Sequence, residues 1–200
     1  MEQWDGQMGL FDDNPLREVP RDRLVVVFDL ETRRSFDEVG GRSQLHRLGV
    51  SVGVAYRYDE DRFIAYREET IGDLIALLTR ADLVVGYNIL GFDYAVLAAY
   101  TDRDLKALPT FDIMYDLEGR LGFRPKLESV ASATLGTGKS ADGLQALEWW
   151  RQGEVEKIER YCREDVRVTR DLFDFGLKNR YVMVSRRGGT PRRVEVDWTV

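Results

Sequence analysis

The stretch Leu24-Val25-Val26-Val27-Phe28-Asp29-Leu30-Glu31-Thr32 determines how the rest of the chain can fold. Its run of apolar, mostly β-branched residues predicts a strand that is buried on both faces. Side chains two residues apart leave a strand on the same face, so Asp29 and Glu31 are expected to project together. The two carboxylates repel each other, and a hard divalent cation such as Mg²⁺ would relieve that repulsion. An ordinary acidic strand end is the alternative interpretation.

The composition is that of an ordinary globular protein, since 44% of the 200 residues are hydrophobic and 32% are charged. This length suits one domain with a substantial core. No apolar run reaches membrane-spanning length and no secretory signal is recognisable, so we expect a cytoplasmic protein that does not bind membranes. Cys162 is the only cysteine and His46 the only histidine. An intrachain disulfide and a Cys/His zinc site are therefore excluded.

The net charge of −6 argues against a protein that binds nucleic acid mainly through bulk electrostatics. It is compatible with an enzyme that processes nucleic acid, because metal ions would offset the charge of an acidic active site. Local basic patches would hold the phosphate backbone, with solvated surface arginines as the alternative interpretation. These patches contain Arg33 and Arg34, and then Arg186, Arg187, Arg192 and Arg193.

The order of elements predicts a mixed α/β sheet with helices packed on it. Alternating apolar residues predict a second strand over residues 44–58, which includes His46, and a turn then leads to a third strand over residues 62–67. A helix beginning after Thr70 precedes a fourth, buried strand over residues 83–87. Further helices are expected over residues 94–100, 112–121, 127–135, 144–150 and about 154–178, and a terminal hairpin over 181–185 and 193–200.

Two further carboxylates occur where they can approach the first pair. Asp93 lies at the start of the helix predicted over residues 94–100, where the helix dipole favours a carboxylate, so capping is one possible role. It also lies just past a strand end, where ligands gather in open α/β sheets. Asp165 lies on the last long helix, with Tyr161 four residues earlier on the same helix face.

Taken in order, these residues resemble the three motifs of the DEDD superfamily of 3′–5′ exonucleases, namely Phe28-Asp29-Leu30-Glu31-Thr32, Asn88-x-x-x-Phe92-Asp93 and Tyr161-x-x-x-Asp165. The third motif is the tyrosine version (DEDDy), because the histidine version would need a histidine at Arg160. The intermediate stretch 126–136 is similar to the corresponding part of the proofreading domain of family B DNA polymerases. The resemblance therefore spans residues 25–175. It implies a ribonuclease-H-like fold, with a mixed sheet flanked by helices.

The resemblance implies a metal-dependent 3′–5′ exonuclease that hydrolyses phosphodiester bonds of DNA, with single-stranded 3′ ends as the expected substrate and DNA repair as a possible setting. Hydrolysis needs an activated water and relief of charge on the leaving oxygen, and two Mg²⁺ or Mn²⁺ ions about 3.5–4 Å apart provide both. An exoribonuclease is one alternative. A non-catalytic nucleic-acid or sliding-clamp adaptor with the same fold is another.

Each residue of the motifs has an expected role. Four carboxylates would hold the two ions: Asp29 as the bridge between them, Glu31 and Asp165 on the ion that activates water, and Asp93 on the other. Tyr161 would orient the attacking water, because an ordinary tyrosine pKa near 10 makes it a weak base at pH 7. Asn88 and Phe92 would shape the substrate pocket, with the phenyl ring stacking on a terminal base.

Residues 1–22 are polar and have little periodicity, which predicts a flexible leader ahead of an exonuclease domain over residues 23–200. Within the leader, Gln7-Met8-Gly9-Leu10-Phe11 resembles the peptide by which bacterial DNA-processing proteins bind the replicative sliding clamp. Such a segment offers Leu10 and Phe11 as apolar anchors to a groove, and Gln7 fixes its direction. The alternative is that Leu10 and Phe11 pack back on the domain.

Overall fold

The computed structural model describes residues 18–136, 143–185 and 189–200. The clamp-like peptide of residues 7–11 and the basic residues Arg186 and Arg187 lie outside the described residues. The strands are β1 (Val25–Thr32), β2 (Val50–Arg57), β3 (Arg62–Tyr66), β4 (Leu83–Gly86), β5 (Thr110–Asp112), β6 (Tyr181–Val184) and β7 (Arg192–Glu195). The α-helices are α1 (Phe36–Val39), α2 (Ile71–Arg80), α3 (Asp93–Leu97), α4 (Ile113–Leu121), α5 (Leu127–Leu135), α6 (Gly143–Arg151) and α7 (Val155–Asn179).

The main sheet has five strands in the order β3-β2-β1-β4-β5. β1 pairs antiparallel with β2, which pairs antiparallel with β3, whereas the β1–β4 and β4–β5 pairs are parallel. β1 is thus the central strand, which explains its continuous apolar sequence. The expectation of a mixed α/β sheet flanked by helices is confirmed.

Alternate side chains of β1 enter two different cores on the two faces of the sheet. Val25 and Val27 pack with residues of α4, α5, α6 and α7. Val26, Phe28 and Leu30 pack with residues of α2 and α3 on the opposite face. Asp29 and Glu31 continue the parity of Val25 and Val27. The two carboxylates therefore lie on the face of the sheet that α7 covers.

The second strand begins later than its sequence predicts. Residues Arg42–Arg47 form a 3₁₀ segment, so the prediction that His46 lies in a strand is wrong. Gly49, with a φ of +67°, turns the chain from this segment into β2. β5 was not predicted, because three residues are too short to show the alternation of a strand.

The terminal hairpin is confirmed as the two-stranded sheet β6–β7. Behind it, the ring of Trp198 is 2% exposed and stacks on Phe173 of α7 with ring centroids 6.0 Å apart. Its indole N–H donates to Asp116 Oδ2 of α4 at 2.8 Å, so the buried donor is satisfied. None of the described helices combines the length and the apolar character that a membrane-spanning helix needs.

Candidate active site

Three carboxylates converge at the end of β1. Asp29 and Glu31 project from the strand, and Asp165 faces them from α7, so that one oxygen of each lies within 4.8 Å of the others. They line an open cavity of about 500 Å³. Sequence positions 29, 31 and 165 are thus brought together because β1 is central and α7 crosses the face to which its odd-numbered side chains point.

Asp93 lines the same cavity but lies outside the group of three converging carboxylates. It is the first residue of α3 and is 3% exposed. Its Oδ1 accepts a hydrogen bond from the backbone N–H of Leu30 at 3.2 Å. The side chain therefore ties the start of α3 to β1, and its bond across to the strand accounts for its position better than capping alone.

Asn88 and Phe92, which the sequence assigns to a substrate pocket, also line this cavity. They belong to a turn between β4 and α3 in which Asn88 has a φ of +67°. Gly86 permits this turn, because a Cβ at that position would overlap the side chain of Ile89. The ring of Phe92 meets Phe36 edge-on, with centroids 6.1 Å apart. An aromatic wall thus stands beside the carboxylates.

Asp112 holds this turn in place, and sequence reasoning did not identify it. Its Oδ1 accepts the N–H of Asn88 at 2.8 Å, and its Oδ2 accepts the N–H of Leu90 at 3.0 Å. It also caps α4 by accepting the N–H of Tyr115 at 3.2 Å. Asp112 is 4% exposed. The sequence shows Asp112 only at the start of a predicted helix. That position indicates a helix cap but not the hydrogen bonds to the turn that carries Asn88.

Two neighbouring residues of α7 contact the acids directly. Tyr161 lies one turn before Asp165 and hydrogen-bonds to it, while its ring meets Trp149 of α6 at a centroid distance of 6.2 Å. The buried Sγ of Cys162 donates toward the backbone oxygen of Asp29 at 3.4 Å and lies 3.6 Å from Asp29 Oδ2. The position of the cysteine on the long helix predicted over residues 154–178 does not by itself reveal this contact.

Burial and mutual repulsion disfavour the ionised acids. Burial is the main cause that raises the pKa of Asp29 well above its ordinary value, and repulsion from Asp93, Asp165 and Glu31 adds to it. Burial, followed by Asp165 and Asp93, likewise raises the pKa of Glu31. Burial raises the pKa of Asp165 to about 6, although the hydrogen bond with Tyr161 acts in the opposite direction.

The donor set fits a divalent cation. Within residues 18–136, 143–185 and 189–200, no lysine or arginine forms an ion pair with any of the four acids, so repulsion among them is not relieved by the chain itself. Carboxylate oxygens are the ligands that Mg²⁺ and Mn²⁺ prefer. The group Asp29, Glu31 and Asp165 could therefore hold a metal ion.

The chain belongs to the RNase_H superfamily, because the RNase_H_2 family model of that superfamily matches residues 26–175. The match includes every motif residue from Asp29 to Asp165 and ends within α7. The ribonuclease-H-like fold expected from the sequence is confirmed.

The fold is also similar to that of the family B DNA polymerase from the hyperthermophilic archaeon Pyrobaculum calidifontis, with a TM-score of 0.57 and 20% sequence identity. The alignment covers 78% of this chain but only 24% of the polymerase. The chain thus corresponds to about a quarter of that protein, and at this identity the likeness concerns the fold. No curated protein matches the sequence.

Proposed function

We propose that the protein is a metal-dependent 3′–5′ exonuclease that hydrolyses DNA from single-stranded 3′ ends. The observation that carries this proposal is the convergence of Asp29, Glu31 and Asp165, with Asp93 in the same cavity, within a member of the RNase_H superfamily. The order of the motifs and the polymerase-like fold support it. A purely structural domain gains nothing from four clustered acids whose ionised forms are disfavoured by burial.

The acids would hold two Mg²⁺ or Mn²⁺ ions. Bound there, two such ions would supply an activated water molecule and would offset the charge that develops on the leaving oxygen. Asp29, Glu31 and Asp165 form the closer set of ligands. Asp93, at the start of α3, would contribute the remaining carboxylate. Asp29 would be a ligand of both ions.

Tyr161 would orient the attacking water rather than take its proton. Burial is the main cause that raises the pKa of the tyrosine, and the charges of Asp165 and Glu31 raise it further. The hydroxyl therefore stays protonated at neutral pH and is available as a hydrogen-bond donor or acceptor, but not as an anionic base. Its position beside Asp165 supports this role, because the hydroxyl lies next to the proposed metal ligands.

The walls of the cavity would receive the terminal nucleotide. Phe92 and Phe36 present apolar rings on one side, and stacking on such rings tolerates any base. Leu147 of α6 also lines the cavity. Asn88 offers an amide in the same turn, which would fix the sugar or phosphate by a hydrogen bond.

A 5′-labelled single-stranded DNA incubated with Mg²⁺ or Mn²⁺ tests the proposal. The wild-type protein should give a ladder of progressively shorter products, and Asp29→Asn should give none. Absence of a ladder from the wild type with either metal, or an unchanged ladder from Asp29→Asn, contradicts the catalytic proposal and favours the adaptor. A sequence-matched RNA in parallel decides between deoxyribonuclease and exoribonuclease activity.

We also propose that residues 7–11 attach the enzyme to a bacterial sliding clamp through Gln7, Leu10 and Phe11. Tethering would raise the local concentration of enzyme at DNA without a strongly basic surface, in keeping with the net charge of −6. Removal of residues 1–12 should abolish clamp binding in surface plasmon resonance and leave turnover of free oligonucleotides unchanged. Clamp binding that survives in a Leu10→Ala/Phe11→Ala variant contradicts the assignment.

A further inference from the structure

A second open cavity, of about 510 Å³, lies between the 3₁₀ segment Arg42–Arg47 and α3. We call it the α3 cavity. Its floor is apolar and is formed, on and just after α3, by Tyr94 and by Ala95, Ala98 and Ala99, whose small side chains leave the space open. A cavity of this size is in the range that accommodates small ligands or one unit of a polymer. None of the proposed metal ligands lines it.

The rim of the α3 cavity is basic. It carries Arg42, Arg103 and Lys106, with His46 beside them, against the single carboxylate of Asp104. The Oδ1 of Asp104 accepts the backbone N–H of Lys106 at 3.0 Å, so this acid caps its own short turn. Over the part of the chain that the structure describes, neither arginine nor the lysine forms an ion pair. A chain with a net charge of −6 thus concentrates unpaired cations at one cavity.

The basic rim is continuous with the candidate active site. We call the cavity that Asp29, Glu31, Asp93 and Asp165 line the acidic cavity. Phe36, which also lines it, lies under the guanidinium of Arg42, whose central carbon is 4.8 Å from the ring centre. Arg34 also lines the acidic cavity, and its Nη1 donates to the backbone oxygen of Arg47 at 2.7 Å. Arg33, by contrast, pairs with Glu68 and is engaged within the fold. The Arg47 side chain is also engaged within the fold, because its Nη1 donates to the backbone oxygen of Val39 at 3.5 Å. Arg34, at the acidic cavity, and Arg42, at the α3 cavity, therefore form a strip between the two cavities.

We propose that the α3 cavity binds phosphodiester groups of the nucleic-acid strand whose 3′ end occupies the acidic cavity. Guanidinium groups match the oxygens of a phosphate in a bidentate manner, and a lysine supplies a further point charge. The apolar floor would take a sugar or base. The continuity of the strip with the acidic cavity favours a strand over an acidic protein partner. The direction of the strand rests on the proposed function, whereas the binding itself does not.

Fluorescence anisotropy in EDTA tests binding without hydrolysis. The probes are 5′-fluorescein oligothymidylates, a tetranucleotide and a hexadecanucleotide, and the variant is Arg103→Gln/Lys106→Gln. The control, Arg80→Gln/Lys178→Gln, removes the same charge from exposed residues elsewhere. At about 50 mM salt the variant should lose on the order of tenfold in affinity for the longer probe, and the salt slope should fall by about 1.4, since each phosphate contact on a single strand contributes about 0.7.

The ratio of the affinity for the hexadecanucleotide to that for the tetranucleotide should also be smaller in this variant than in the wild type, and it should be unchanged in the control. Equal affinities of wild type and variant for the long probe would overturn the proposal. Tighter binding of a poly-glutamate peptide than of oligothymidylate through the same two residues would also overturn it, in favour of an acidic protein partner. Failure of the proposed function is seen separately, as oligonucleotide binding in EDTA without a ladder in the presence of metal.

Discussion

Replacing Asp112 with alanine should destabilise the protein far more than the loss of a helix cap. The side chain accepts two N–H groups of the turn that carries Asn88 and one of α4, and it is 4% exposed. Each hydrogen bond from the turn to a charged acceptor contributes about 1.5 kcal/mol, and the cap about 1 kcal/mol. We therefore expect Asp112→Ala to lower the free energy of unfolding by about 4 kcal/mol.

Urea unfolding followed by circular dichroism at pH 7 measures this loss. Asp104→Ala is the matched control, because it removes an exposed aspartate cap that accepts a single N–H, and it should cost about 1 kcal/mol or less. Asp112→Asn keeps one acceptor oxygen, so it should lower the free energy of unfolding by about half as much as Asp112→Ala. An effect of Asp112→Ala no larger than that of the control would refute the positioning role.

Three further outcomes follow from the site. Burial raises the pKa of Asp165 to about 6, so the folded protein binds more protons than the unfolded chain between about pH 4 and 6. In EDTA, the free energy of unfolding should therefore fall as the pH rises through this window, by up to about 3 kcal/mol. Asp165→Asn should flatten this pH profile. A rise with pH would contradict this. Mn²⁺ at pH 7.5 should raise the Tm of the wild type but not of Asp29→Asn, measured by scanning fluorimetry. Gly86→Ala should cost about 1–3 kcal/mol by overlap with Ile89, whereas Gly119→Ala, in open space on α4, should stabilise by about 0.5–1 kcal/mol in urea unfolding.

The sequence predicts the fold well where periodicity is strong. β1, α2, α5 and α7 lie at or within a few residues of their predicted bounds, because long apolar stripes and buried runs leave few alternatives. The 3₁₀ segment before β2 was missed, since alternating valines from Val50 onward gave no indication of where the strand begins. The 3₁₀ segment packs against α3 and ends at the turn made by Gly49, and only the tertiary structure reveals these features.

The site was predicted as a set of residues but not as a geometry. The i, i+2 spacing of Asp29 and Glu31 is a local property of a strand, so their common face follows from sequence. The separation of Asp93 from the converging three depends on its bond to Leu30, which is 63 residues away. Asp112 and the α3 cavity were not foreseen for the same reason, because their partners come from distant parts of the chain.

The measurement that tests the central claim most directly follows a single-stranded DNA that carries one label at its 3′ end and another at its 5′ end. With Mg²⁺ or Mn²⁺, the protein should release the 3′ label as a mononucleotide in the first cleavage, while the 5′ label passes through the successive lengths of a ladder. Asp165→Asn should release neither. Retention of the 3′ label on fragments longer than one nucleotide, or release of the 5′ label first, would contradict a 3′–5′ exonuclease.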